Sequence, residues 1–144
     1  MDSKSLMIGD WVLYNGDGKP YPVQVAEITS LKQLKVYNGK ELIWFICGEK
    51  FFEPIPPTAE ILEKNGFERH NRYRYLHIDN YCKVCVSIAP RVKIYDMDLG
   101  EPPINVSIEG ALFDINMSIS AIHELQRALR CCGLWDLANN FKID

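Results

Sequence analysis

Apolar and polar residues alternate through most of the first fifty positions, the two-residue spacing of strands with one buried face. Over 6–14, Trp11 and Leu13 fall on one side and Val12 and Tyr14 on the other. The turn cluster Asn15 to Pro20 then separates this strand from a second over 21–28, so the two form a hairpin. A third run over 34–37 meets a fourth over 41–47 across Asn38-Gly39, a dipeptide suited to tight hairpin turns. Short antiparallel strands so closely spaced predict a strongly bent sheet of SH3-like form, which the proline run from Pro54 to Pro57 ends.

The period then changes. Thr58 is placed to cap a helix beginning at Ala59, Glu60 puts negative charge in its first turn, and Asn65-Gly66 stops it after about two turns. From Arg72 the alternation returns, with Arg72, Arg74, Leu76 and Ile78 on one face and Tyr73, Tyr75 and His77 on the other. Strands follow over 81–88, 91–95 and 104–108. Finally Ile122, Leu125, Leu129 and Cys132 recur at helical spacing behind a cap at Ser118 or Ser120, with Gly133 as the stop and Leu134 folding back on Leu129. The pattern therefore predicts an α+β protein: an N-terminal SH3-like bent antiparallel sheet, a short bridging helix, a second antiparallel sheet, and a C-terminal amphipathic helix packed against that second sheet. The expected division is a small SH3-like antiparallel β subdomain over 1–55 and an α+β subdomain over 56–144, the two forming one compact unit.

Composition narrows the function classes. Hydrophobic residues make up 47% of 144, charged residues 24%, and the formal net charge is -3, so no overall field draws the chain to long duplex nucleic acid. No apolar run reaches the roughly 20 residues of a membrane-spanning helix, and MDSKSLMIGDW lacks a small-residue cleavage pattern. A cytoplasmic protein without membrane partners is expected, and its five cysteines are expected to be reduced thiols.

Motifs of catalysis and metal binding are incomplete. Cys82 and Cys85 have the spacing of a zinc or redox pair, but no second pair accompanies them, and residues three apart on a strand point to opposite faces. Cys131-Cys132 lie on a helix, where neighbours do not converge on one ion. His123-Glu124 opens like a metalloprotease helix, yet the second histidine's place is taken by Arg127, and His123 is expected as a surface or second-layer residue of its helix. Neither a phosphate-binding glycine loop nor a nucleophile motif occurs. The sequence thus predicts no metal, no cofactor and no enzyme.

One constellation stands out: Arg69, His70, Arg72, Tyr73, Arg74, Tyr75 and His77, with Trp44 as a further aromatic. Guanidinium groups grip phosphate through paired hydrogen bonds, and aromatic rings stack on bases. The plainer alternative has the tyrosines covering the core while the arginines reach into solvent.

The segments IGDWVLYNG, PPTAEILEKNGF and HELQRALRCCGL, in that order, resemble a group of small uncharacterised proteins from anaerobic gut bacteria and their phages and prophages. This chain departs from that pattern in its longer loop around Gly16 to Lys19 and in its extra cysteines. The resemblance brings no activity with it, but implies an accessory gene that travels with phages. Together with the basic and aromatic strand, it suggests a non-catalytic protein in the host cytoplasm that sequesters a small anionic ligand, such as a cyclic nucleotide immune signal, in counter-defence. The alternative is an interaction module or inhibitor that docks a bacterial protein through its SH3-like half or a sheet edge. A homo-oligomer is expected, since small binders often build pockets between symmetric copies.

Overall fold

The turn at Ile8-Gly9 depends on a left-handed glycine, Gly9 at φ +94°, whose amide donates to the carbonyl of Val25 at 2.7 Å. It sends the chain into β1 (Trp11–Tyr14), paired with β2 (Tyr21–Ile28). Next come β3 (Gln33–Tyr37) and β4 (Leu42–Ile46), joined across Asn38-Gly39 as the sequence predicts. The Asn38 carboxamide oxygen accepts from the amides of Lys40 and Glu41, both at 2.9 Å, and Gly39 takes φ +94°. A two-residue β5 (Phe52–Glu53) returns to β1, giving the order β4-β3-β2-β1-β5, the arrangement of an SH3-like meander. The computed structural model describes residues 6–16, 18–28, 33–46, 52–88, 93–94, 97–98, 104–110 and 113–143.

The alternation of β1 appears directly as burial. Val12 and Tyr14 join Leu6, Val23, Val25, Leu34, Val36 and Phe52 in one apolar cluster. Tyr14 also meets the rings of Tyr21 and Phe52, with centroids 5.6 and 5.8 Å away.

Helix α1 (Ala59–Lys64) begins where Thr58 Oγ1 accepts from the Ile61 amide at 3.2 Å. It ends at Gly66, φ +89°, where the amides of Gly66 and Phe67 return to the carbonyls of Glu63 and Leu62. Both ends are those expected from Thr58 and Asn65-Gly66. A second antiparallel sheet follows: β6 (Glu68–His70), β7 (Tyr73–His77), β8 (Lys83–Ile88), β11 (Ile104–Glu109) and β12 (Asp114–Ile119), ordered β12-β11-β8-β7-β6. A separate two-stranded ribbon pairs β9 (Lys93–Ile94) with β10 (Met97–Asp98). On one face of the large sheet Val84, Val86, Val106 and Ile108 are buried, as are Leu62 of α1 and Phe67 just beyond it.

Two elements close the chain, α2 (Ile122–Cys131) and α3 (Trp135–Asn139). The fold is α+β, but the closing helix differs from expectation in two respects. Its N-cap is Ala121, without a side-chain cap, because Ser118 belongs to β12 and bonds Asn105 Oδ1 at 2.9 Å. Its packing partner is also different. The chain divides into two compact units, Met1–Pro56 with Ala121–Ile143, and Pro57–Ser120, so α2 belongs with the first sheet and the expected 56–144 subdomain is split. At the C-terminal stop the sequence is followed closely: Gly133 takes φ +78°, and the Leu134 amide donates to Leu129 at 2.9 Å.

Polar side chains explain why α2 joins the first unit. Gln126 is fully buried: its Nε2 donates to the carbonyls of Gly9 and Ala138, each at 2.8 Å, and its Oε1 accepts from the Trp11 amide at 3.0 Å. One turn later Arg130 Nη1 donates to Asp10 Oδ1 at 2.5 Å, with both side chains almost wholly buried. Arg130 also reaches Asn139 Oδ1 and the Ile8 carbonyl, while Trp11 Nε1 donates to the Phe141 carbonyl at 2.7 Å. The turn before β1, α2 and α3 are therefore tied by one set of hydrogen bonds. His123 is buried as well and does not take the surface place, one of its two expected positions, since Ile122, His123, Leu125 and Gln126 all turn inward.

Candidate functional site

The basic and aromatic stretch forms a hairpin at one edge of the second sheet. Asn71 carries the β6–β7 turn at φ 57°, a left-handed conformation that asparagine tolerates, and His70 pairs with Tyr73 across it. Because side chains alternate along a strand, β7 sends Tyr73, Tyr75 and His77 to one face and Arg74 and Leu76 to the other. Pairing extends the first face across the sheet in three rows. His70, Tyr73, Ser87, Asn105 and Ser118 form one; Glu68, Tyr75, Cys85, Ser107 and Asn116 the next; His77, Lys83, Glu109 and Asp114 the third. The opposite side buries Val84, Val86, Val106 and Ile108, whereas this face is polar and aromatic.

Two depressions open on it. One, of about 370 Å³, is bordered by Arg72 and Tyr73, with Cys85, Ser87, Asn105 and Asn116 among its lining residues. The other, of about 320 Å³, is bordered by His70, Tyr75, His77 and Lys83. The Arg72 guanidinium carbon lies 5.2 Å from the Tyr73 ring centre, and Arg72 Nη2 donates to the Tyr73 hydroxyl at 3.0 Å. Lys83 Nζ lies 4.5 Å from the centre of the Tyr75 ring. The two tyrosine rings are 6.0 Å apart and inclined by 35°, and His70 meets Tyr75 edge-on at 5.4 Å.

The expected constellation is thus divided. Tyr73, Tyr75, His70 and His77 share the polar face, with Arg72 at its rim. Arg74 is on the reverse side, where its Nε stands 3.2 Å from Glu63 Oε1 of α1 in an ion pair without hydrogen-bond alignment. Its Nη1 donates to the carbonyls of Asn71 and Tyr73, each at 3.2 Å, so Arg74 braces the hairpin. Arg69, opposite Arg74 in the register, also belongs to that reverse side and is exposed. Trp44 is on β4 in the other unit, and its side chain lies outside the described residues. Sequence reasoning missed Lys83, Ser87, Asn105 and Asn116. Lys83 and Ser87 were detectable as the outward positions of a strand whose inward ones are Val84 and Val86, whereas Asn105 and Asn116 join the face only through strand pairing.

Burial raises the pKa of the Cys85 thiol, and the neighbouring Glu109 adds to this against the opposing pull of Tyr75 and Lys83. Desolvation, together with Cys85, likewise raises that of the Tyr75 hydroxyl. Both groups therefore stay protonated near neutrality and act as hydrogen-bonding groups rather than nucleophiles. Among the described residues, no group of three His, Cys, Asp or Glu side chains is placed to hold a metal ion, and no helix is long and apolar enough to cross a membrane.

No family model, curated protein or solved structure matches this chain. The functional reading therefore rests on the residues of this face.

Proposed function

We propose that this protein is a non-catalytic binder that sequesters a small anionic ligand of the nucleotide class on the polar face of its second sheet. The observation that carries the reading is the Arg72–Tyr73 couple at the rim of the 370 Å³ depression. A guanidinium beside a half-buried ring offers phosphate a charged, forked donor and a base a stacking surface within one ligand's reach. The amides and hydroxyls of Asn105, Asn116 and Ser87 supply donors and acceptors for a base edge or a ribose. A depression of this size falls in the lower range of small-molecule sites. The resemblance to proteins of gut phages supports sequestration of a host signal, such as a cyclic nucleotide, as its purpose.

The test is isothermal titration of the purified protein with a panel of nucleotides and cyclic oligonucleotides, together with ultraviolet and mass analysis of whatever denaturation releases. Saturable binding that Arg72→Ala or Tyr73→Ala weakens, with unchanged circular dichroism, supports the reading. Flat titrations at tens of micromolar protein overturn it. A second reading, docking of a bacterial protein by strand addition, is favoured by β12, a six-residue strand at the end of its sheet. A stoichiometric protein partner recovered from host lysate, lost when proline replaces Asn116, supports that alternative.

A further inference from the structure

The polar face presents the same chemical couple twice. Arg72 stands by Tyr73 and Lys83 by Tyr75, each couple bordering its own depression. Tyr73 and Tyr75 are two residues apart on one strand, and their ring centres lie 6.0 Å apart. That is too close for a single base to slot between the two rings, which needs two full stacking distances, and close to the length of one nucleotide step in an extended chain. A mononucleotide at either couple would leave the other ring and cation open to solvent.

Charge limits the length of what can bind. Glu68 pairs across from Tyr75, while Glu109 and Asp114 continue the row of His77 and Lys83 toward the far edge. All three carboxylates are exposed and flank the paired couples, so a polyanion running on past the tyrosines meets negative charge.

We infer that this face holds two nucleotide units side by side, one at Arg72–Tyr73 and one at Lys83–Tyr75, which makes a dinucleotide its preferred ligand. The inference rests on the nucleotide reading above and specifies its ligand. Joining two units makes the second contact intramolecular, and affinity rises without any new contact. Linear and cyclic dinucleotides share this chemistry, and the geometry of their linkage decides between them.

The experiment is calorimetric titration of the intact protein with a nucleoside monophosphate, a linear 5′-phosphorylated dinucleotide, the cyclic dinucleotide of the same base, and a single-stranded octanucleotide. It is repeated on Arg72→Ala, Lys83→Ala and the double variant, with circular dichroism and thermal melting as folding controls. One of the dinucleotides is expected to bind at least about tenfold tighter than the monophosphate, with the octanucleotide gaining nothing further. Either single variant is expected to bring dinucleotide affinity down to the monophosphate level, and the double variant to abolish it. Equal affinity for mono- and dinucleotides, or sensitivity to only one of the two cations, overturns the two-unit site while leaving the nucleotide reading intact. Continued tightening with the octanucleotide overturns the length limit. No response to any of the four overturns both.

Discussion

Asp10→Asn tests whether the first unit is held shut by its buried ion pair. Asp10 and Arg130 are each almost fully enclosed, with Nη1 and Oδ1 2.5 Å apart, and Asp10 Oδ2 also accepts from the Met7 amide at 2.8 Å. The substitution keeps shape and volume but removes the charge, leaving the guanidinium in a low-dielectric site with Asn139, the Ile8 carbonyl and the Trp135 ring to face it. Removing one partner of a buried pair costs about 3–5 kcal/mol, against a total stability of about 5–15 kcal/mol for a domain. With a urea dependence of about 2 kcal/mol per molar, the midpoint should fall by about 1.5–2.5 M. Tryptophan fluorescence is a selective probe, since the chain's 3 tryptophans, Trp11, Trp44 and Trp135, all belong to the first unit. Arg130→Met, alone and combined with Asp10→Asn, completes a cycle. The double variant should be more stable than the two single losses add up to, by about 1–3 kcal/mol, because it no longer strands a charge. A loss below about 1 kcal/mol for Asp10→Asn, or strict additivity in the cycle, would refute the assignment of that pair as the clasp.

Two further outcomes follow from the same region. A methyl group at Gly9 would stand 2.9 Å from Asn139 Oδ1 and 3.0 Å from Arg130 Nη2, at a φ of +94° that L-residues rarely adopt. Gly9→Ala should therefore cost about 2–3 kcal/mol in chemical denaturation, and a neutral result would show that the turn can open without loss. Burial holds the His123 pKa below its ordinary value, an effect that Asp10 and Glu124 oppose and Arg127 reinforces. A buried neutral imidazole stabilises the fold fully above the unfolded value of about 6.5, and that contribution is lost as pH falls toward the depressed folded value. Melting curves between about pH 7.5 and pH 5 should show a decline that His123→Gln lacks, and parallel curves for the two proteins would remove histidine as its source.

Local signals carried most of the fold. Val12 and Tyr14, Asn38-Gly39, Thr58, Gly66 and Gly133 each act within a few residues, and each appears in the structure as the local chemistry demands. The strand β12 was harder to see because Ser118 and Ser120 look like helix caps, although Ile115, Met117 and Ile119 alternate properly. Whether Ser118 caps a helix or pairs in a strand is decided by Asn105, thirteen residues earlier. The destination of α2 was hidden for a related reason. Gln126 and Arg130 are residues that usually face water, and only their partners at Gly9, Trp11 and Asp10 make burial favourable. At the candidate site, alternation separated the tyrosines from Arg74 correctly, but it could not reveal Glu63 as that arginine's partner or bring Asn105 and Asn116 beside Tyr73. The segments IGDW and HELQRALR supply Gly9, Asp10, Trp11, Gln126 and Arg130, the hydrogen-bonded set of the first unit.

The chain leaves the first unit after Pro56 and rejoins it at Ala121, and the Ile122 amide donates to the Ile55 carbonyl at 2.8 Å, so departure and return are neighbours. During synthesis Asp10 emerges 120 residues ahead of Arg130. Pro57–Ser120, contiguous in sequence, can complete itself on the ribosome while the earlier sheet still waits for α2 and α3. The same stem also makes the interrupting segment exchangeable: a different module could be spliced between positions 56 and 121 without disturbing the scaffold that carries it.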